Sequence, residues 1–170
     1  MARALIVGCG CRGRLLGGRL LEKGWAVRGT SRHKAGLASI EAAGIEPALA
    51  DPERPGTLLE LVGDVAIVHW LLGSAEGDDS TLAAIHGERL ERLLERLVDT
   101  PVRGFVYEAV GSVAPSAFER GRAAVEGAAA RWRIPVELVS AADPDDHGSW
   151  VESMLGATHR LTSEPAGRNG

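Results

Sequence analysis

Three glycines in a Gly-x-Gly-x-x-Gly arrangement, Gly8, Gly10 and Gly13, follow the apolar run Ala4-Leu5-Ile6-Val7 and precede the helical pattern Leu15, Leu16, Leu20, Leu21. Strand, glycine turn and helix in that order make an anion receptor built from main chain. Gly8 permits the tight turn, Gly10 lets backbone approach a pyrophosphate, and Gly13 lets the helix sit close to the strand. Gly17 extends that close-packing face by one turn. The helix start then offers unpaired N–H groups and the positive end of its dipole to phosphate. Gly8, Gly10, Cys11, Arg12 and Gly13 are therefore expected to hold the pyrophosphate of a dinucleotide.

About 20 residues beyond such a turn, a carboxylate takes the ribose 2'-hydroxyl in proteins that select NAD. Here the second apolar run ends instead in Val27-Arg28-Gly29-Thr30-Ser31-Arg32-His33-Lys34. An arginine beside two hydroxyls suits a 2'-phosphate through charge-assisted, bidentate hydrogen bonds, so Thr30, Ser31 and Arg32 favour NADP over NAD. A solvated basic loop is the plainer account of Arg28, Arg32 and Lys34. Asp51, closing the third run, is placed to contact an adenine ring. Leu71 and Leu72, just past the fourth, complete the expected cofactor-binding residues.

Candidates for acid/base chemistry are few. His69 falls near the end of the fourth run and Glu108 near the end of the fifth, where ligands bind in parallel sheets. A hydrogen-bonded core histidine and an arginine-paired glutamate are the structural alternatives. Cys9 and Cys11 are the only cysteines, too few for a disulfide framework or a zinc site. They read as small loop fillers, with a thiolate role at the helix start as the other possibility. Asp143, Asp145, Asp146 and His147 read first as a turn with helix N-caps rather than a cation site. Trp25, Trp70, Trp132 and Trp150 lack regular spacing and suit packing.

The elements that must position these residues alternate. Apolar runs at Arg3–Val7, Ala26–Thr30, Glu46–Ala50, Val65–Trp70, Arg103–Val110 and Val136–Ser140 are separated by helical stretches. That alternation predicts a doubly wound α/β domain, a six-stranded parallel sheet in the order 3-2-1-4-5-6 with helices on both faces. Helices are predicted over Gly13–Lys23, with Gly24 as left-handed cap, and over Leu37–Ala43, Thr57–Val62, Ser80–Val98, Ser116–Arg131 and Ser149–Leu161. Residues 1–161 form one expected domain, with Thr162–Gly170 a disordered tail. At 170 residues, 45% hydrophobic and 25% charged with a formal charge of -4, the chain has the composition of a soluble globular protein without attraction to nucleic acid or anionic lipid. No apolar run approaches the roughly 20 residues of a membrane span, and a cytoplasmic location is expected.

These parts resemble the short-chain dehydrogenase/reductase superfamily, in its extended and atypical branch that includes NAD(P)-dependent epimerase/dehydratase-like and NmrA-like proteins. The resemblance covers about residues 3–142. It rests on Gly8-Cys9-Gly10-Cys11-Arg12-Gly13, Gly29-Thr30-Ser31-Arg32, Asp51-Pro52 and Phe105-Val106-Tyr107-Glu108-Ala109-Val110-Gly111-Ser112. It implies a Rossmann fold and a nicotinamide cofactor. It also implies a Tyr-x-x-x-Lys pair, in which lysine lowers the tyrosine pKa and tyrosine relays a proton. Here the resemblance fails: Tyr107 is the only tyrosine, Gly111 stands four residues on, and Lys34 is the last lysine. The family's serine at the fifth strand is replaced by Glu108-Ala109-Val110, with Ser112 slightly beyond. Extended members also add a lobe that closes over substrate, so a pocket here would use its own loops, Ser74–Asp79 first among them, or a partner subunit.

Two functions follow as expectations. One is an NADP(H)-binding sensor or regulatory protein, as the NmrA-like resemblance implies. The other is an atypical NADP-dependent oxidoreductase or epimerase using His69, Glu108 or water for proton transfer. A protein that has lost nucleotide binding is third. Leucines of Ser80–Val98 opposite small alanines of Ser116–Arg131 suggest a homodimer through a four-helix contact, with a strictly internal role for those faces as the alternative.

Overall fold

The central strands are buried at nearly every position along their length, so both faces of the sheet are covered. The computed structural model describes residues 2–140, 143 and 145–163. Six strands, β1 (Arg3–Val7), β2 (Ala26–Ser31), β3 (Glu46–Leu49), β4 (Ile67–Trp70), β5 (Gly104–Glu108) and β6 (Val136–Val139), form one parallel sheet in the order β3-β2-β1-β4-β5-β6. This is the doubly wound order read from the sequence. Leu5, Val7, Val68, Trp70, Phe105 and Tyr107 point to one face, and Ala4, Ile6, Ile67 and Val106 to the other, the two-residue alternation of a strand.

The second face is covered by α1 (Cys11–Glu22), α2 (Lys34–Ala42) and α7 (His147–Thr162). The first is covered by α3 (Pro55–Leu59), α4 (Asp79–His86), α5 (Glu88–Leu97) and α6 (Pro115–Trp132). Gly24 closes the α1 turn at φ +92°, the left-handed conformation expected of it.

Two expectations are corrected. The helix read as Ser80–Val98 is two helices that meet at Gly87, whose φ of -123° and ψ of -106° lie outside the helical region. The apolar spacing does not reveal that break, since Leu82, Ile85, Leu90, Leu93, Leu94 and Leu97 would also fit one continuous stripe; Gly87 is the local signal. Asp78 starts α4 by accepting from the Thr81 N–H at 2.8 Å. Thr162 is the last residue of α7 rather than the first of a tail, and residues 164–170 lie outside the described residues. Finally, Leu90, Leu93, Leu94 and Leu97 take the internal of their two expected roles, buried in the chain's own core.

Candidate functional site

The turn after β1 is held from both sides. The Gly8 N–H donates to Thr30 Oγ1 at 3.3 Å, the Cys9 N–H to the Thr30 carbonyl at 3.0 Å, and the Gly10 N–H to the Gly8 carbonyl at 2.9 Å. Gly8 has φ +80°, and a Cβ there would stand 2.6 Å from the Leu71 carbonyl oxygen. Gly8 is thus required by the fold itself. Gly10 differs: a Cβ on it would meet no atom of the described residues within 4 Å, because it faces the open cleft.

Gly10 is also the N-cap of α1, and neither a capping side chain nor an acidic residue in the first turn satisfies that helix end. Arg12 and Arg14 stand there instead. First-turn amides lack intrahelical partners, and cations at this end oppose the dipole, so the sequence leaves the helix start poorly served by its own residues. A bound anion would supply what is missing.

The cleft above this turn is a cavity of about 510 Å³ across the carboxyl ends of β1, β2, β4 and β5. All eleven residues expected to bind cofactor line it: Gly8, Gly10, Cys11, Arg12, Gly13, Thr30, Ser31, Arg32, Asp51, Leu71 and Leu72. Their local commitments differ. Ser31 Oγ accepts from the His33 N–H at 3.1 Å and donates to the His33 carbonyl at 2.9 Å, shaping the turn that aims Arg32. Arg32 is exposed and donates to the Glu76 carbonyl at 3.1 Å, crossing from the end of β2 to the loop after β4. Asp51 Oδ1 accepts from the Glu53 N–H at 2.9 Å. Arg28 and Lys34 do not line the cleft; Arg28 donates to Asp64 at 2.8 Å and to the Leu61 carbonyl at 2.6 Å.

Of the two acid/base candidates, only Glu108 reaches the cavity. Its carboxylate is 1% exposed; Oε1 accepts from the Gly73 N–H and Oε2 from the Trp150 indole N–H, each at 2.8 Å. Arg12 completes its surroundings, 3.7 Å from Oε2, while donating to Ser74 Oγ at 3.0 Å and lying 5.2 Å from the Trp150 ring centroid. Burial pushes the Glu108 carboxyl above the usual carboxylate range, against the opposing pull of Arg12 and the two N–H donors.

His69 does not line the cavity and is fully buried between the sheet and α7. The Thr158 hydroxyl donates to the Met154 carbonyl at 2.8 Å, so it accepts from His69 Nε2–H, also at 2.8 Å. His69 Nδ1 is left without a partner among the described residues, and desolvation lowers the pKa to about 4, against a smaller pull from the Leu5 backbone. The register explains the difference from Glu108. His69 pairs with Val106, two residues below Glu108, and two residues of strand are roughly 7 Å of depth.

The sole tyrosine is likewise a core residue. Tyr107 O–H donates to His86 Nδ1 at 2.7 Å, because the other ring nitrogen of His86 is protonated to donate to the Leu72 carbonyl at 2.9 Å. Burial raises the Tyr107 pKa, and the residue is absent from the cavity wall. Cys9 is buried and its thiol is pushed up to about 12, which removes it as a thiolate. Asp146 caps α7 through the Ser149 N–H at 3.1 Å and Asp143 accepts from the Asp145 N–H at 2.9 Å, turn and cap roles as read. No group of three or more potential metal ligands occurs among the described residues.

Sequence reading gave no place in the cleft to Arg14, His147 or Trp150, all in the cavity wall. Arg14 follows the third glycine and had a local signal. Trp150 had none, since α7 brings it across 138 positions of sequence to Arg12.

Neither the family models nor the curated proteins give a match to this sequence. Solved structures do. UDP-glucuronic acid 4-epimerase from Bacillus cereus, in complex with NAD, aligns with a TM-score of 0.66 at 16% identity, over 80% of this chain and 54% of that one. A short-chain dehydrogenase/reductase superfamily protein from Agrobacterium tumefaciens with bound NAD aligns with a TM-score of 0.66 at 20% identity, over 80% and 48%. UDP-glucose 4-epimerase from Thermotoga maritima, with UDP-glucose, gives 0.67 at 14% identity, over 80% and 54%. The chain has the doubly wound Rossmann-type fold of these structures and spans about half their length. No helix among the described residues is long and apolar enough to cross a membrane.

Proposed function

We propose that this protein binds NADP(H) in the cleft above the β1–α1 turn and acts as a nucleotide-sensing or regulatory protein. The observation that carries the reading is Gly10, which keeps an uncapped, cation-flanked helix start open to the cleft. Arg32, exposed at the end of β2, is the group for a 2'-phosphate, exchanging its bond to the Glu76 carbonyl for a charge-assisted one. Gly8, Cys11, Arg12 and Gly13 surround the pyrophosphate, Thr30 and Ser31 support the ribose side, and Asp51, Leu71 and Leu72 border the adenine and central cleft. The bound dinucleotide would bring hydride chemistry. The chain's own residues, however, offer it no tyrosine–lysine pair, since Tyr107 is in the core and no lysine follows Lys34.

A second reading, an atypical oxidoreductase or epimerase, rests on Glu108, the one buried carboxylate among the described residues of the cleft wall. Both its oxygens are occupied by N–H donors, which favours the first reading. Calorimetric titration with NADPH and NADH, followed by a turnover screen, separates the two. Micromolar NADPH binding without turnover supports the sensor; turnover abolished in Glu108→Gln supports the enzyme, and no binding at all removes both. Residues 1–161 are proposed to act as one domain. Its homodimer would use the groove between α5 and α6, where Ala123 and Gly127 lie beside Glu91 and Arg131. A monomer mass independent of concentration removes that assembly.

A further inference from the structure

A dinucleotide-binding sheet offers two mononucleotide halves, one on each side of the pyrophosphate site at the head of α1. In this protein the halves are unequal. The β1–β2–β3 half is open, with Gly10 facing empty cleft, Arg32 and His33 exposed, and Asp51 on its rim. The β4–β5 half opens to the same cavity through Leu71, Leu72, Ser74, Glu108 and Trp150, but its loops are tied to one another. The Val113 N–H donates to the Gly73 carbonyl at 3.1 Å and the Ser112 N–H to Ser74 Oγ at 3.3 Å, joining the loops that follow β4 and β5. The two loops touch so closely that a Cβ on Gly73 would strike the Val110 carbonyl, and one on Gly111 the Gly73 carbonyl.

Arg12 then lies across the mouth of this half. It is fastened to Ser74 at 3.0 Å, to Glu108 at 3.7 Å and against the Trp150 ring at 5.2 Å, so that α1, the β4 loop, β5 and α7 meet at one guanidinium. Glu108 is itself pinned by Gly73 and Trp150. Among the described residues, β5 gives only Glu108 to the cavity wall and β6 gives nothing.

We infer that the cleft recognises the adenosine-phosphate half of the dinucleotide and excludes the nicotinamide ring, with Arg12 as the barrier, so that oxidised and reduced forms bind alike. The inference rests on the NADP(H) reading above and deepens it: such a protein reports the size of the NADP(H) pool and is blind to its redox ratio. The ligand class is then any adenosine 2'-phosphate carrying a 5'-diphosphate, with or without a nicotinamide.

Isothermal titration of the full chain with NADP+, NADPH, 2'-phospho-ADP-ribose and nicotinamide mononucleotide tests it. The expected result is that neither dinucleotide binds more than about fivefold tighter than 2'-phospho-ADP-ribose, that NADP+ and NADPH agree within about fivefold, and that the mononucleotide does not compete. A larger preference for either dinucleotide over the fragment, or for one redox form, overturns the inference while leaving the nucleotide reading intact. Absence of heat from all four ligands at about 1 mM removes the nucleotide reading itself. In Arg12→Ala any lost phosphate contact weakens fragment and dinucleotide together, whereas loss of the barrier raises the NADPH-to-fragment affinity ratio by about fivefold or more. An unmoved ratio overturns Arg12 as the barrier.

Discussion

Replacing Gly10 by alanine separates the two reasons a turn can need glycine. At φ -83° and ψ -155° the backbone is one that alanine adopts freely, and the new Cβ meets no atom of the described residues within 4 Å. A glycine-to-alanine change at a compatible position stabilises by about 0.4–1 kcal/mol through the unfolded chain. At about 2–4 °C per kcal/mol for a domain of this size, Tm holds or rises by up to about 4 °C. The methyl nonetheless occupies the space a pyrophosphate needs to reach the main-chain amides. Loss of one hydrogen bond to a charged group, about 1.5–3 kcal/mol, is a ten- to hundredfold fall in NADPH affinity. Gly8→Ala provides the contrast, because φ +80° and the Leu71 carbonyl at 2.6 Å make it a folding defect as well. Differential scanning fluorimetry paired with calorimetry reads both quantities on one preparation. A Gly10→Ala protein that binds NADPH as the parent does would refute the placement of the pyrophosphate at this turn.

Three further outcomes are expected. Glu108→Gln leaves one of the Gly73 and Trp150 N–H donors without an acceptor and Arg12 without its carboxylate, costing about 2–4 kcal/mol; an unchanged denaturation midpoint would contradict the tether. Acid weakens the fold through His69: the native ring is held neutral down to a pKa of about 4 while the unfolded one protonates near 6.5, so the stabilisation is complete above 6.5 and is lost as pH falls toward 4, about 3 kcal/mol in all. Urea titrations of the parent and His69→Gln across that range check it, and parallel slopes would exclude His69 as the source. Arg32→Ala lowers NADPH affinity about tenfold or more with little change for NADH, and a variant that still prefers NADPH removes the 2'-phosphate assignment.

What was legible in the sequence was whatever chain neighbours alone decide. The glycine turn and the basic end of β2 depend on residues within one β-α-β unit, and the alternation of apolar runs leaves few ways to order six parallel strands. The second half of the site depends on register and on distant contacts. His69 and Glu108 look equivalent as strand-end polar residues, yet the pairing of His69 with Val106 sinks it beneath the rim that Glu108 reaches. Whether a strand-end residue meets a ligand is decided by its depth relative to neighbouring strands, a quantity absent from the chain until the sheet is assembled. Arg12 shows the same limit from the other side. Its position in the glycine turn predicts an anion contact, but α7 and β5 bring Trp150 and Glu108 to its guanidinium and divert it across the opposite half of the cleft. One residue thus belongs by sequence to the phosphate turn and by packing to the wall beside it. Glu108, the last residue of β5, supplies the carboxylate that holds Arg12 there.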